Sequence, residues 1–198
     1  MHTEWSVDLT EDGPTLTFPW KDPEGRFRYV RLKTTLSVVE DVPEARDYPE
    51  LRLLLLAANA PESPLETARC DVWGTDEVDE GECWWLDEVP AYKFGCYVDL
   101  LFSAPNLRES FSAHESLGRE LVDRVGAGPD VPGSVEFIVG RAYYCDSPAE
   151  SSSRGSLSIG FYVVAYVFGY GASVEDARRN WAGAVRVVTD AVSQVKVL

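Results

Sequence analysis

Carboxylates are the chemistry this chain supplies most freely. Between Asp71 and Glu88 there are eight acidic residues, no base and three tryptophans, Trp73, Trp84 and Trp85. Like charges at that density repel one another and add nothing to packing, so the concentration calls for a reason. The plainest is a solvated loop between two strands, with Trp84 and Trp85 pinning its end to the core. A sharper reading is a contact surface for a basic protein. Trp73, Trp84 and Trp85 would then be the anchors. Asp76, Glu77, Asp79, Glu80, Glu82, Asp87 and Glu88 would supply the field that steers a cationic partner. A third reading is a cation site, because Asp76 to Asp87 can be laid over the calcium-loop template with Gly81 at the sixth position. Acids fall at the first, fifth and twelfth positions, but Val78 occupies the third and no flanking helix is evident. No metal or other cofactor is expected.

Other reactive groups are sparse. There are two histidines. His2 is terminal, and His114 lies within an apolar helical stripe, where a satisfied core imidazole is the expectation rather than a general base. No GxSxG, HExxH, Walker A or GxGxxG pattern occurs. Gly169-Tyr170-Gly171 precedes a helix and could offer amides to an anion, although a strand-to-helix turn needs glycine in any case. Carboxylate pairs such as Glu136 with Asp146, or Asp99 with Glu115, are expected by chance among 33 acids. No catalytic residue is expected, and an enzyme using carboxylates is the least favoured class. Cys70, Cys83, Cys96 and Cys145 are spaced by 13, 13 and 49 residues, match no metal-binding pair, and read as reduced structural thiols.

The charge is concentrated. The 198 residues carry a formal net charge of −15, which argues against binding nucleic acid or an anionic membrane surface. Residues 1–39 are net −1 and residues 89–198 net −2, whereas residues 40–88 hold fifteen acids against Arg46, Arg52 and Arg69. A nearly neutral body therefore carries one acidic, Trp-bearing stretch. No secretory signal is visible at the N-terminus, and the longest apolar run, Leu53 to Ala58, is too short to span a bilayer, so a cytoplasmic location is expected.

The elements that must position these residues can be read from periodicity. Phe94, Cys96, Val98, Leu100 and Phe102 alternate as one strand face, and Phe137, Val139, Arg141, Tyr143 and Cys145 as another. Leu157 to Phe168 is apolar on both faces. Leu107, Phe111, His114, Gly118, Leu121 and Val125 form a helical stripe ended by Gly126 and Gly128. Ser173 and Asp176 form a capping box for a long final helix, striped by Val174, Ala177, Trp181, Ala184, Val188, Ala191 and Val195. The segment Asp146 to Gly155 reads as a loop. In the first third, Trp5 to Leu9 and Leu16 to Trp20 alternate, Arg26 to Val39 is a long strand candidate, and Asp47 with Pro49 starts a helix over Leu51 to Asn59, although a buried strand would also fit.

The expected fold is a single α+β domain over 1–198, with sub-units near 1–62, 63–128 and 129–198. It is an antiparallel sheet built from repeated strand–strand–helix units, with helices on one face and a long C-terminal helix. The other face would carry Tyr162, Tyr166, Phe168 and Tyr144, covered by the N-terminal strands, by a second copy in a homodimer, or by a ligand. The expected function is an acidic protein-binding module, inhibitor- or immunity-like, that engages a basic protein. The alternative is a small-molecule site in an aromatic pocket between sheet and final helix, lined by Tyr144, Tyr162, Tyr166 and Trp181.

Overall fold

Strand-forming runs rich in Val, Tyr and Phe make one six-stranded sheet. The computed structural model describes residues 1–145 and 157–196. The stretch read above as the loop Asp146 to Gly155 lies outside the described residues. Two short strands, β1 (His2–Val7) and β2 (Thr15–Phe18), precede four long ones: β3 (Leu65–Thr75), β4 (Tyr92–Phe102), β5 (Gly133–Cys145) and β6 (Leu157–Gly171). The order across the sheet is β1-β5-β6-β4-β3, with β2 also on β5.

The sheet is mixed and not purely antiparallel. β3 with β4, β4 with β6 and β5 with β6 run antiparallel. β1 and β2 lie end to end along the same edge of β5, and both pair with it in parallel, Trp5 opposite Phe137 and Leu16 opposite Ala142. Asp8 makes the break between them, its carboxylate accepting from the Thr10 amide (3.1 Å) and hydroxyl (2.6 Å). Alternation sets which residues share a face but not the direction of a partner more than 120 positions away, which is why this pairing differs from expectation.

The candidate strand Arg26 to Val39 is another correction. That segment runs irregularly to a 3-10 turn over Leu36–Asp41. Its charged side chains bond elsewhere instead of alternating beside a neighbour. Lys33 Nζ donates to the carbonyls of Ala60 (2.7 Å) and Ser63 (2.5 Å), and Thr34 closes a turn on Arg31 O (2.9 Å). Beyond it lie α1 (Pro43–Asp47) and α2 (Pro49–Ala58), so the Leu-rich run is helical, with Pro49 at its first position.

α3 (Pro105–Arg108) and α4 (Phe111–Gly126) divide the stripe that starts at Leu107. Ser110 caps α4 by accepting from the Ala113 amide (3.2 Å). α5 (Val174–Ser193) begins at the capping box, with the Asp176 amide donating to Ser173 Oγ (3.1 Å). Leu51, Leu54 and Leu55 of α2, Leu117 and Leu121 of α4, and Trp181 and Val188 of α5 share one core with one face of the sheet. That face is presented by Cys96 and Val98 of β4, Phe137 of β5, and Val163 and Ala165 of β6. His114 is buried in α4, its Nδ1 on Ser110 O (2.8 Å) and its ring edge-on to Phe102; burial lowers its pKa to about 4. Gly169 lets α5 approach β6, because a Cβ there would collide with the Trp181 backbone nitrogen.

A second core covers the opposite face, where Leu16 and Phe18 of β2 pack with Leu101, Ala142, Tyr144 and Tyr162. It is fastened by Glu66 on β3, which is 0% exposed. Arg31 approaches it through Nε (2.9 Å) and Nη2 (3.1 Å), and Arg108 of α3 donates to the same carboxylate. Arg108 also donates to Phe102 O (2.9 Å) and lies 5.3 Å from the Phe18 ring centre and 5.1 Å from that of Tyr144. Removing Glu66 leaves Arg108, only 12% exposed, without its carboxylate partner, while the more exposed Arg31 can turn to solvent. Glu66→Ala is therefore expected to destabilise the chain by roughly 3–5 kcal/mol, read as a lower urea midpoint, with Glu66→Gln losing less.

Candidate functional site

The acidic stretch is a folded surface. Trp73 lies on β3 with its ring 5.9 Å from Phe168 and 6.3 Å from Tyr97. Past the strand, Asp79 Oδ1 accepts from the Gly81 amide (2.8 Å) and caps a 3-10 turn over Glu80–Glu82. Cys83 is buried, and Leu86 closes the next turn on the Cys83 carbonyl (2.9 Å). Trp85 stacks on His2 at 5.8 Å and meets Tyr170 edge-on at 5.9 Å, while Lys93 of β4 pairs with Glu82. With its frame held in this way, the loop points the rest of its side chains outward. Asp76, Glu77, Asp79, Glu80, Glu82, Asp87 and Glu88 are all exposed, and Trp84 is 73% exposed. The calcium-loop overlay gathers no ligand set: among the described residues no group of three or more acids, histidines or cysteines is placed to hold a metal.

Behind this loop lies a groove of about 390 Å³. Its floor is Tyr166, Phe168 and Tyr170 of β6, and its walls carry Glu4 of β1, Glu82, Trp84 and Glu136 of β5. Burial raises the Glu136 pKa, and the neighbouring Glu4 carboxylate adds to the effect. Carboxylates around aromatic faces suit one class of guest, a cation with an apolar stem, because the ring faces and the acids both attract it. Lys93 Nζ already lies 5.3 Å from the Phe168 ring centre, an internal example of that contact.

The four residues expected to line one aromatic pocket do not meet. Trp181 is fully buried among the helices, 5.1 Å from Phe94 and 5.6 Å from Tyr48. Tyr144 and Tyr162 lie in the core of the opposite face under β2, and Tyr166 borders that core and the groove. The strand Leu157–Gly171 is apolar on both sides, so periodicity gave no means of assigning its tyrosines to a face. Cys70, Cys83 and Cys96 are in no disulfide among the described residues, and burial pushes the Cys96 thiol up to about 12, which leaves it inert.

Two acid–base features escaped the reading of the residues alone. One is the ring of Glu4 and Glu136, brought together by the parallel β1–β5 pairing. The other is an ion pair between Arg69, at a bulge in β3, and Asp99, which is fully buried on β4. A hint of the second was present, since Asp99 sits among apolar residues on both sides of its strand. Burial pushes the Asp99 carboxyl up to about 6, against the pull of Arg69, and its Oδ1 and the Tyr162 hydroxyl are buried with no hydrogen-bond partner among the described residues. Between pH 4 and 6 the unfolded chain ionises this group while the folded chain retains its proton, so its contribution to stability is lost as pH rises through that window. The stability of the native chain relative to Asp99→Asn should thus fall by ~2 kcal/mol from pH 4 to pH 7, measured by urea unfolding at each pH. Comparison with protein-family models, curated proteins and solved structures returns no match for this chain.

Proposed function

We propose that the protein is a binding module for a basic protein, which it engages through the acidic, Trp-bearing loop between β3 and β4 in the manner of an inhibitor or immunity protein. The observation that carries this reading is Trp84, left 73% exposed on a loop whose other aromatic, Trp85, is anchored against His2 and Tyr170. An indole held open on a fixed frame loses little conformational freedom on binding, which is the property of an interface anchor. The carboxylates around it steer a cationic surface from a distance, and the groove behind accepts a Lys or Arg side chain between Glu4, Glu82 and Glu136. The partner's phosphate-binding surface is the chemistry such a loop would cover. A cytoplasmic setting belongs to the same proposal. The small-molecule alternative is the weaker reading, since Trp181 packs in one core and Tyr144 and Tyr162 in the other.

The test is association with a basic partner recovered from the native host and then purified. Binding should weaken steeply with salt and fall by at least tenfold when Asp76, Glu77, Asp79 and Glu80 are replaced together by Asn and Gln. Trp84→Ala should raise the dissociation rate with little change in the association rate. An affinity unmoved by salt and by the neutralised loop would overturn the reading.

A further inference from the structure

β3 ends the sheet on one side. It pairs with β4 alone, and no backbone hydrogen bond reaches its other edge from Ala68 to Thr75 among the described residues. The direction of that edge can be read from one amide. Val72 N–H turns to the Asp71 side chain (2.8 Å) instead of to β4, so Val72 faces outward, and by alternation so do Cys70 and Gly74. Beside this edge lies a cleft of about 970 Å³, and five consecutive β3 residues, Thr67 to Asp71, line it. These five residues span the register shift between Thr67 and Cys70, so the wall combines side chains at the bulge with the backbone edge that starts at Cys70 and Asp71.

The cleft has two further walls. On one side of the strand plane stand Trp20, Tyr29 and Tyr97; on the other are Val38, Val42 and Glu44, next to Asp41. Asp41, Glu44 and Asp71 take part in no ion pair among the described residues, and burial with the nearby Asp71 and Asp47 charges raises the Glu44 pKa. Of the four arginines lining the cleft, Arg26 is paired with Glu24, Arg31 with Glu66 and Arg69 with Asp99, which leaves Arg28. A second copy of this chain is disfavoured here, because two β3 edges would bring Asp71, Asp76 and Glu77 against their own kind.

We infer that the free edge of β3 receives an extended segment of the partner, in which basic residues alternate with apolar ones, as an added strand. Main-chain bonds to Cys70, Val72 and Gly74 supply affinity. Alternate side chains fall on the aromatic wall and, through long cationic stems, on Asp41 and Glu44. This inference rests on the basic-partner reading and gives that partner a conformation and a register.

The test uses the full chain and an acetylated, amidated peptide of alternating Lys and Val, six residues long to match Cys70–Thr75, followed by amide hydrogen exchange and fluorescence anisotropy. The peptide is expected to slow exchange at Cys70 and Gly74. Val72→Pro, which removes an outward N–H and leaves the β4 ladder intact, should weaken binding about tenfold. Circular dichroism and the urea midpoint show whether that variant is folded; if it is not, the exchange pattern of the unaltered chain decides. Binding without protection at Cys70 and Gly74, equally tight in a folded Val72→Pro, overturns the edge site and assigns the peptide to the loop and groove. Protection at the edge that persists in high salt and in the neutralised loop variant upholds the edge and counts against the loop reading. No binding at millimolar peptide overturns the edge site, leaving the loop to be judged with its whole-protein partner.

Discussion

A single carboxylate organises one side of this molecule. Glu66 is fully buried, and Arg31 and Arg108 both reach its carboxylate to balance the charge. Those two arginines come from an irregular N-terminal segment and from the short helix after β4, so neutralising one group ties three distant parts of the chain together. Phe18 and Tyr144 lie against the same guanidinium of Arg108, which extends the ionic contact into an aromatic one. The cover over the second face, and with it the shape of the cleft beside β3, depends on that arrangement.

The two faces of the sheet are consequently built on different principles. One is a helix-to-sheet core dominated by Leu, Val and Trp side chains, with His114 held on Ser110 O at its margin. The other mixes tyrosines with buried ions, Glu66 with its arginines and Asp99 with Arg69, and it is bordered by the acidic loop and the groove. Buried ions are poor sources of stability compared with apolar packing of the same volume. Their concentration on the face that borders the groove and the cleft fits a surface whose geometry matters for contact.

What was legible in the sequence follows from the range of the forces involved. The final helix was readable because its stripe, its Ser173 cap and the Asp176 partner all lie within a few residues of one another. The alternation of Phe94 to Phe102 was readable for the same reason. The parallel pairing of β1 and β2 with β5 was not, since it joins residues at opposite ends of the chain and leaves no local mark. Arg26 to Val39 imitated a strand because charged and apolar residues are interleaved along it, yet Arg31 is held by a carboxylate 35 positions on. The acidic stretch was conspicuous from composition, but the groove behind it depends on Glu4 and Glu136 meeting across β1 and β5. That could not be read before the topology was known.

The bulge between Thr67 and Cys70 puts a boundary on the open edge. An extra residue in one strand breaks the phase between its inward and outward groups, so a neighbour cannot stay in step across it. Only the six residues from Cys70 to Thr75 keep one unbroken reading frame. Whatever lies along this strand is therefore measured for length as well as for charge, and a longer ribbon would fall out of register at Arg69. The side chain that marks this boundary is the one tethered to the buried Asp99.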